Sequence, residues 1–143
     1  MSARVTMATI CYEIPAPRVK ALRGWVTELG YQTIYGAQLS VFFMHDGRQE
    51  LVATVETDAN GAFSVSGLEP GTYLVEVKAV GFNSGRQKVE LVSGSSIWGK
   101  RLLFSLPQGD GCFEASAISK REFTNLQKRL SGRGHHLQSK PGT

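Results

Sequence analysis

Between Gly24 and Leu106 the sequence alternates apolar and polar residues in short runs, each closed by a turn word. Two of these words are sharpest: Thr57-Asp58-Ala59-Asn60-Gly61-Ala62-Phe63 and Leu68-Glu69-Pro70-Gly71-Thr72-Tyr73. Each sets turn formers directly before a strand-like run. A period of two sends successive side chains to opposite faces of a strand, so one face packs and the other meets solvent. The pattern runs through Leu22, Gly24 and Val26, then Ala37, Leu39, Val41 and Phe43, then Leu51, Ala53 and Val55. It resumes at Phe63 and Val65, at Tyr73, Val75, Val77 and Ala79, at Val89 and Leu91, and at Leu102, Phe104 and Leu106. That makes seven strands, with no helical stretch between them. Such spacing predicts an all-β sandwich rather than βαβ units.

The turn words have direct physical readings. The Asp58 carboxylate is placed to accept turn N–H groups, while Asn60 and Gly61 tolerate positive φ. Pro70 presets φ for a turn and Gly71 takes the conformation that other residues resist. His45-Asp46-Gly47 is a hairpin signal. Gly81 ends the cleanest alternation and lets the chain leave its strand sharply.

At 143 residues, 41% of them hydrophobic, the chain has room for one domain with a real core. It has no apolar run near the roughly 18 residues of a membrane helix, and Met1 to Arg18 lack the apolar core of an export signal. The net charge of +4 is uneven. Residues 20–106 carry eight basic and eight acidic side chains, residues 1–19 two and one, and residues 107–143 six and three. The basicity lies in the flanks. A nucleic-acid reader concentrates it on the folded face, so no nucleic-acid partner is expected.

Cys11 and Cys112 flank the strand region. A disulfide between them would clip the N-terminal arm to the C-terminal segment; two free thiols are the other reading. Without Cys-x-x-Cys spacing they do not suggest zinc. His45 and the pair His135-His136 lack further ligands at useful spacing, and Asp58-x-Asn60-Gly61 lacks the remaining oxygens of a calcium loop. No metal or other cofactor is expected.

The tail changes character. Ser119-Lys120-Arg121-Glu122 fits a capping box, with Ile118 and Phe123 where a hydrophobic staple sits. Phe123, Leu126 and Leu130 come next at i, i+3 and i+7, predicting a helix at about residues 120–131. A stripe that narrow is marginal alone in water, so it must dock on the sandwich, a partner or another subunit. Residues 132–143 are polar and glycine-rich and are expected to be disordered.

Outward-pointing aromatics supply the candidate binding site. If Leu22, Gly24 and Val26 face in, Trp25 faces out. If Leu39, Val41 and Phe43 face in, Phe42 and Met44 face out. Tyr31 and Tyr35 lie in the connecting loop. The five would form an interaction face, and flat aromatics suit sugar rings. The other reading is that the arm or the tail helix covers them.

Five words, in order, carry a family likeness: Gly24-Trp25-Val26, Gly36-Ala37-Gln38-Leu39-Ser40-Val41, the Thr57–Phe63 word, the Leu68–Tyr73 word, and Ala79-Val80-Gly81-Phe82. Over residues 20–106 the sequence resembles the carboxypeptidase regulatory-like domain. The resemblance implies a seven-stranded, transthyretin-like Greek-key β-sandwich. It also implies a non-catalytic accessory role outside the cytoplasm, periplasmic or cell-surface, in a bacterium. The chain departs from the peptidase setting of that family, having no stretch long enough for a peptidase domain. It also lacks the clustered histidines, with a matching C-terminal arginine and serine, of a transthyretin-like hydrolase.

The expected organisation is an extended arm at 1–19, the sandwich at 20–106 and a tail at 107–143. The expected function is a binding module, carbohydrate-binding through Trp25, Tyr31, Tyr35, Phe42 and Met44. The rival is a structural or assembly subunit docking a protein partner through Phe123, Leu126 and Leu130. The oligomeric state is left open.

Overall fold

The structure, a computed structural model, describes residue 11, residues 13–93 and residues 99–139, with side chains as far as residue 129. Among the described residues there are nine strands and one helix. The strands are β1 (Arg18–Val19), β2 (Leu22–Glu28), β3 (Gln38–His45), β4 (Arg48–Glu56), β5 (Ala62–Val65), β6 (Gly71–Lys78), β7 (Gly85–Leu91), β8 (Lys100–Leu106) and β9 (Glu114–Ser119); the helix is α1 (Lys120–Ser139). They form two sheets, ordered β1-β7-β6-β3-β4 and β5-β2-β8-β9. The β-sandwich expected from the alternation is present, with nine strands instead of seven.

The two added strands have weak sequence signals for physical reasons. β1 is two residues long, too short to show a period, and it joins β7 in parallel by the pairs Arg18–Glu90 and Val19–Leu91. β9 turns Ala115 and Ala117 toward the core, and such small side chains mute the alternation. The helix also differs from its expected extent, reaching Ser139 rather than residue 131. Gly132 and Gly134 remain helical; a glycine inside a helix costs about 1 kcal/mol relative to alanine but does not by itself end it. The expectation of disorder is thereby corrected for residues 132–139, and residues 140–143 lie outside the described residues.

The core lies between the sheets. Val26, Leu39, Val41, Val75, Val77, Val89, Leu102, Phe104 and Leu106 are all fully buried there. β2 and β8 run parallel and close together, with Gly24 opposite Leu102. A Cβ at residue 24 would collide with the Leu102 backbone, so only glycine permits this approach. The turns match their sequence readings. Asp58 Oδ1 accepts the N–H groups of Asn60 at 2.8 Å and Ala62 at 2.9 Å. In the β3–β4 hairpin Asp46 and Gly47 both take positive φ, 49° and 77°, as a two-residue primed turn requires.

The flanks are tied to the sandwich. Cys11 and Cys112 are joined by a disulfide, with Cα atoms 5.7 Å apart. The arm runs along the β7 edge, where the Glu90 N–H donates to the Pro17 carbonyl and the Val92 N–H to the Val19 carbonyl, both at 2.9 Å.

Candidate interaction surface

The two outer faces of the sandwich differ. On the second sheet, alternation turns Trp25, Thr27, Leu103 and Ser105 away from the core, yet all four are buried. The cause is α1. Its start is fixed by the capping box: the Ser119 N–H donates to Glu122 Oε1 at 2.8 Å, and the Glu122 N–H donates to Ser119 Oγ at 3.1 Å. Those bonds, the Ser119 backbone N–H first and then Lys100 at 3.2 Å, hold the Glu122 carboxyl below its ordinary pKa. So anchored, the helix lays Phe123 on Trp25 with ring centroids 4.0 Å apart and planes 11° from parallel. The Arg101 guanidinium sits 5.6 Å from the indole centroid, within cation–π range. Leu126, Ile118 and Tyr31 pack around this pair, and Gln127 Nε2 donates to the Tyr31 carbonyl at 3.2 Å. The Thr27 and Ser105 hydroxyls satisfy each other at 2.9 Å.

The five aromatic and sulfur-bearing residues expected to share one face are therefore separated. Trp25 is 7% exposed beneath Phe123, and Tyr31 lines the same cluster. Tyr35 is 76% exposed in the β2–β3 loop. Phe42 and Met44 belong to β3, in the other sheet. The expectation of a common face is corrected: alternation places each side chain in or out, but Trp25 and Phe42 lie on different sheets, so their "out" directions diverge. The docking stripe is likewise used at home. Phe123 and Leu126 pack on the chain's own sandwich, and the Leu130 side chain lies outside the described residues.

Among the described residues, no helix or strand covers the outer face of the first sheet. Register aligns Leu51 on β4 with Phe42 on β3, Phe42 with Leu74 on β6, and Leu74 with Lys88 on β7. The result is a cross-strand apolar row ending in a cation. A β-bulge at Val41/Phe42 inserts Val52 as an extra residue on β4, which brings Leu51 opposite Phe42. Leu51 is 56% exposed, Phe42 and Met44 are half-buried, and Leu74 is buried while belonging to neither core cluster. Beyond Leu74 the row meets arm residues Ile14, Pro15 and Ala16 across a shallow cleft of about 440 Å³. The neighbouring row is polar: Thr54, Ser40, Glu76 and Arg86. There Glu76 pairs with Arg86 at 3.6 Å and Lys78 at 3.8 Å. An apolar strip beside paired charges is a composition that interfaces share with much other protein surface. Sequence reasoning named Phe42 and Met44 but missed Leu51 and Leu74, since only the strand register reveals the row.

Among the described residues no group of three or more His, Cys, Asp or Glu side chains is arranged to hold a metal. No described helix is long and apolar enough to cross a membrane.

The sequence matches the carboxypeptidase regulatory-like domain over residues 21–98. The chain belongs to that family. Its fold is also that of sea bream transthyretin, solved in complex with thyroxine: TM-score 0.52 at 16% identity, covering 70% of this chain and 96% of that one. Klebsiella pneumoniae 5-hydroxyisourate hydrolase is similar to the same degree, with TM-score 0.51, 16% identity, 71% of this chain and all of that one. At such identity the likeness is one of fold. Among curated proteins, none matches the sequence significantly. Carboxypeptidase regulatory-like domains are non-catalytic modules as a family, and two of their expected marks, the sandwich and its turn words, are in place here.

Proposed function

We propose that this chain is a non-catalytic, extracytoplasmic accessory module that docks a protein partner through the open outer face of its first sheet. The observation that carries the reading is the Leu51–Phe42 end of the row, apolar surface that no other element of the described chain overlies as α1 overlies Trp25; Leu74, at the arm end, is buried. A carbohydrate platform built on Trp25 is not favoured, because that ring is already stacked on Phe123. The helix-docking alternative is disfavoured on the same ground. The disulfide supports an oxidising compartment, where such bonds persist.

The test is site-specific photo-crosslinking from residue 42, with residue 124 on the exposed side of α1 as control. A discrete protein adduct from residue 42 alone, lost in a Leu51→Asp background, is the expected result. Retention on a polysaccharide that Phe42→Ser abolishes, with no protein adduct, would replace the protein partner by a sugar. Turnover in a broad ester and amide screen would refute the non-catalytic reading.

A further inference from the structure

β4 is an edge strand in the first sheet and β5 an edge strand in the second, and the two edges flank a cleft of about 420 Å³. Its lining is mixed: Phe43, Val52, Leu68 and the buried Tyr73 are its large apolar members, and Glu50 and Glu69 its charged ones. No basic side chain lines it. Among the described residues, no ion pair includes either glutamate.

The strand register explains the placement of Glu50. It stands opposite Phe43, whose ring packs against the core, so the carboxylate sits on the inner side of an edge strand. Tyr73 fixes the opposite lip: its hydroxyl donates to the Glu69 carbonyl at 2.6 Å. Burial, and secondarily the Glu69 carboxylate, push the Tyr73 pKa up.

We infer that the edge of β4, which no described strand pairs, accepts an extended segment of a partner protein carrying a lysine or arginine, whose side chain enters the cleft between Glu50 and Glu69. The long aliphatic stem suits the apolar part of the lining, and the cationic head suits two carboxylates that form no ion pair among the described residues. An inward charge on an edge strand ordinarily bars strand addition. Here it bars apolar strands and admits one that brings the opposite charge, which makes the edge selective. The inference goes beyond the outer-face reading, because it concerns the edge and inner side of β4 and stands whether or not Phe42 touches a partner.

The probe is a capped synthetic strand peptide of alternating threonine and valine with one central lysine, titrated into isotope-labelled protein and followed by amide shifts. Shifts at residues 48–56 and 65–69 are expected. Replacing the lysine by norleucine, or making Glu50→Gln with Glu69→Gln, should each weaken binding about tenfold, ~1.4 kcal/mol, with the melting temperature of the variant unchanged. Absence of shifts, or equal binding of the norleucine peptide, overturns the inference. Shifts confined to Phe42, Leu51 and Leu74 overturn it too, while favouring the outer-face reading.

Discussion

The outer faces of the two sheets arise from the same alternation and end in opposite states. On the second sheet, Trp25 and Leu103 are sealed by Phe123 of α1. On the first, Phe42 and Leu51 keep part of their surface in water. The difference lies in the element that comes next in the chain. β9, at the edge of the second sheet, ends at Ser119, where the capping box starts α1 at once and turns it across the neighbouring face. Among the described residues the first sheet has no such successor, and its far edge receives the arm. Outward apolar residues thus become core on one sheet and stay partly exposed on the other.

Five perturbations break or sharpen this contrast. The largest concerns the arm beside the open face. The disulfide spans 101 positions, and loops of that length give about 2–5 kcal/mol of stabilisation. Urea unfolding of Cys11→Ser should show a loss of that size, with faster hydrogen exchange at residues 86–92 and little change around Trp25. Next, Phe123→Ala removes the cover from the sealed face. It should cost about 3 kcal/mol, and in a Trp98→Phe background the remaining tryptophan emission should shift to the red.

Ser119→Ala, which removes half of the capping box, should cost about 1 kcal/mol and loosen α1 without altering the open face. The pH dependence originates in Glu122, whose carboxyl lies below its ordinary pKa when folded. Its contribution is complete above the usual carboxylate range and is lost as pH falls through the lowered value. Acid titration should therefore release α1 before the sheets, and Glu122→Gln should remove that step in tryptophan emission. Smallest is Leu51→Ser on the open face, expected to change stability by no more than about 0.5 kcal/mol while abolishing the residue-42 adduct.

The fold was legible because its signals are local. Alternation at Tyr73, Val75 and Val77, the Asp58 carboxylate in its own turn, and the Ser119–Glu122 box each act within a few residues. The site was half legible. Phe42 and Met44 could be read as outward, but the row they join depends on pairing with Leu51 and Leu74, and the bulge at Val52 resets that register. Trp25 misled because its partner, Phe123, lies 98 positions away, a contact that periodicity does not encode. The Glu50–Glu69 cleft was invisible for the same reason, since two edges of different sheets form it.

Hydroxyl-radical footprinting of the free, oxidised protein in dilute solution tests the central claim most directly. The account predicts rapid labelling of Met44, Phe42 and Leu51, comparable to exposed Tyr35, and strong protection of Trp25 and Phe123. Labelling of Trp25 as fast as Tyr35, or protection of Phe42 and Leu51 in the monomer, would contradict it.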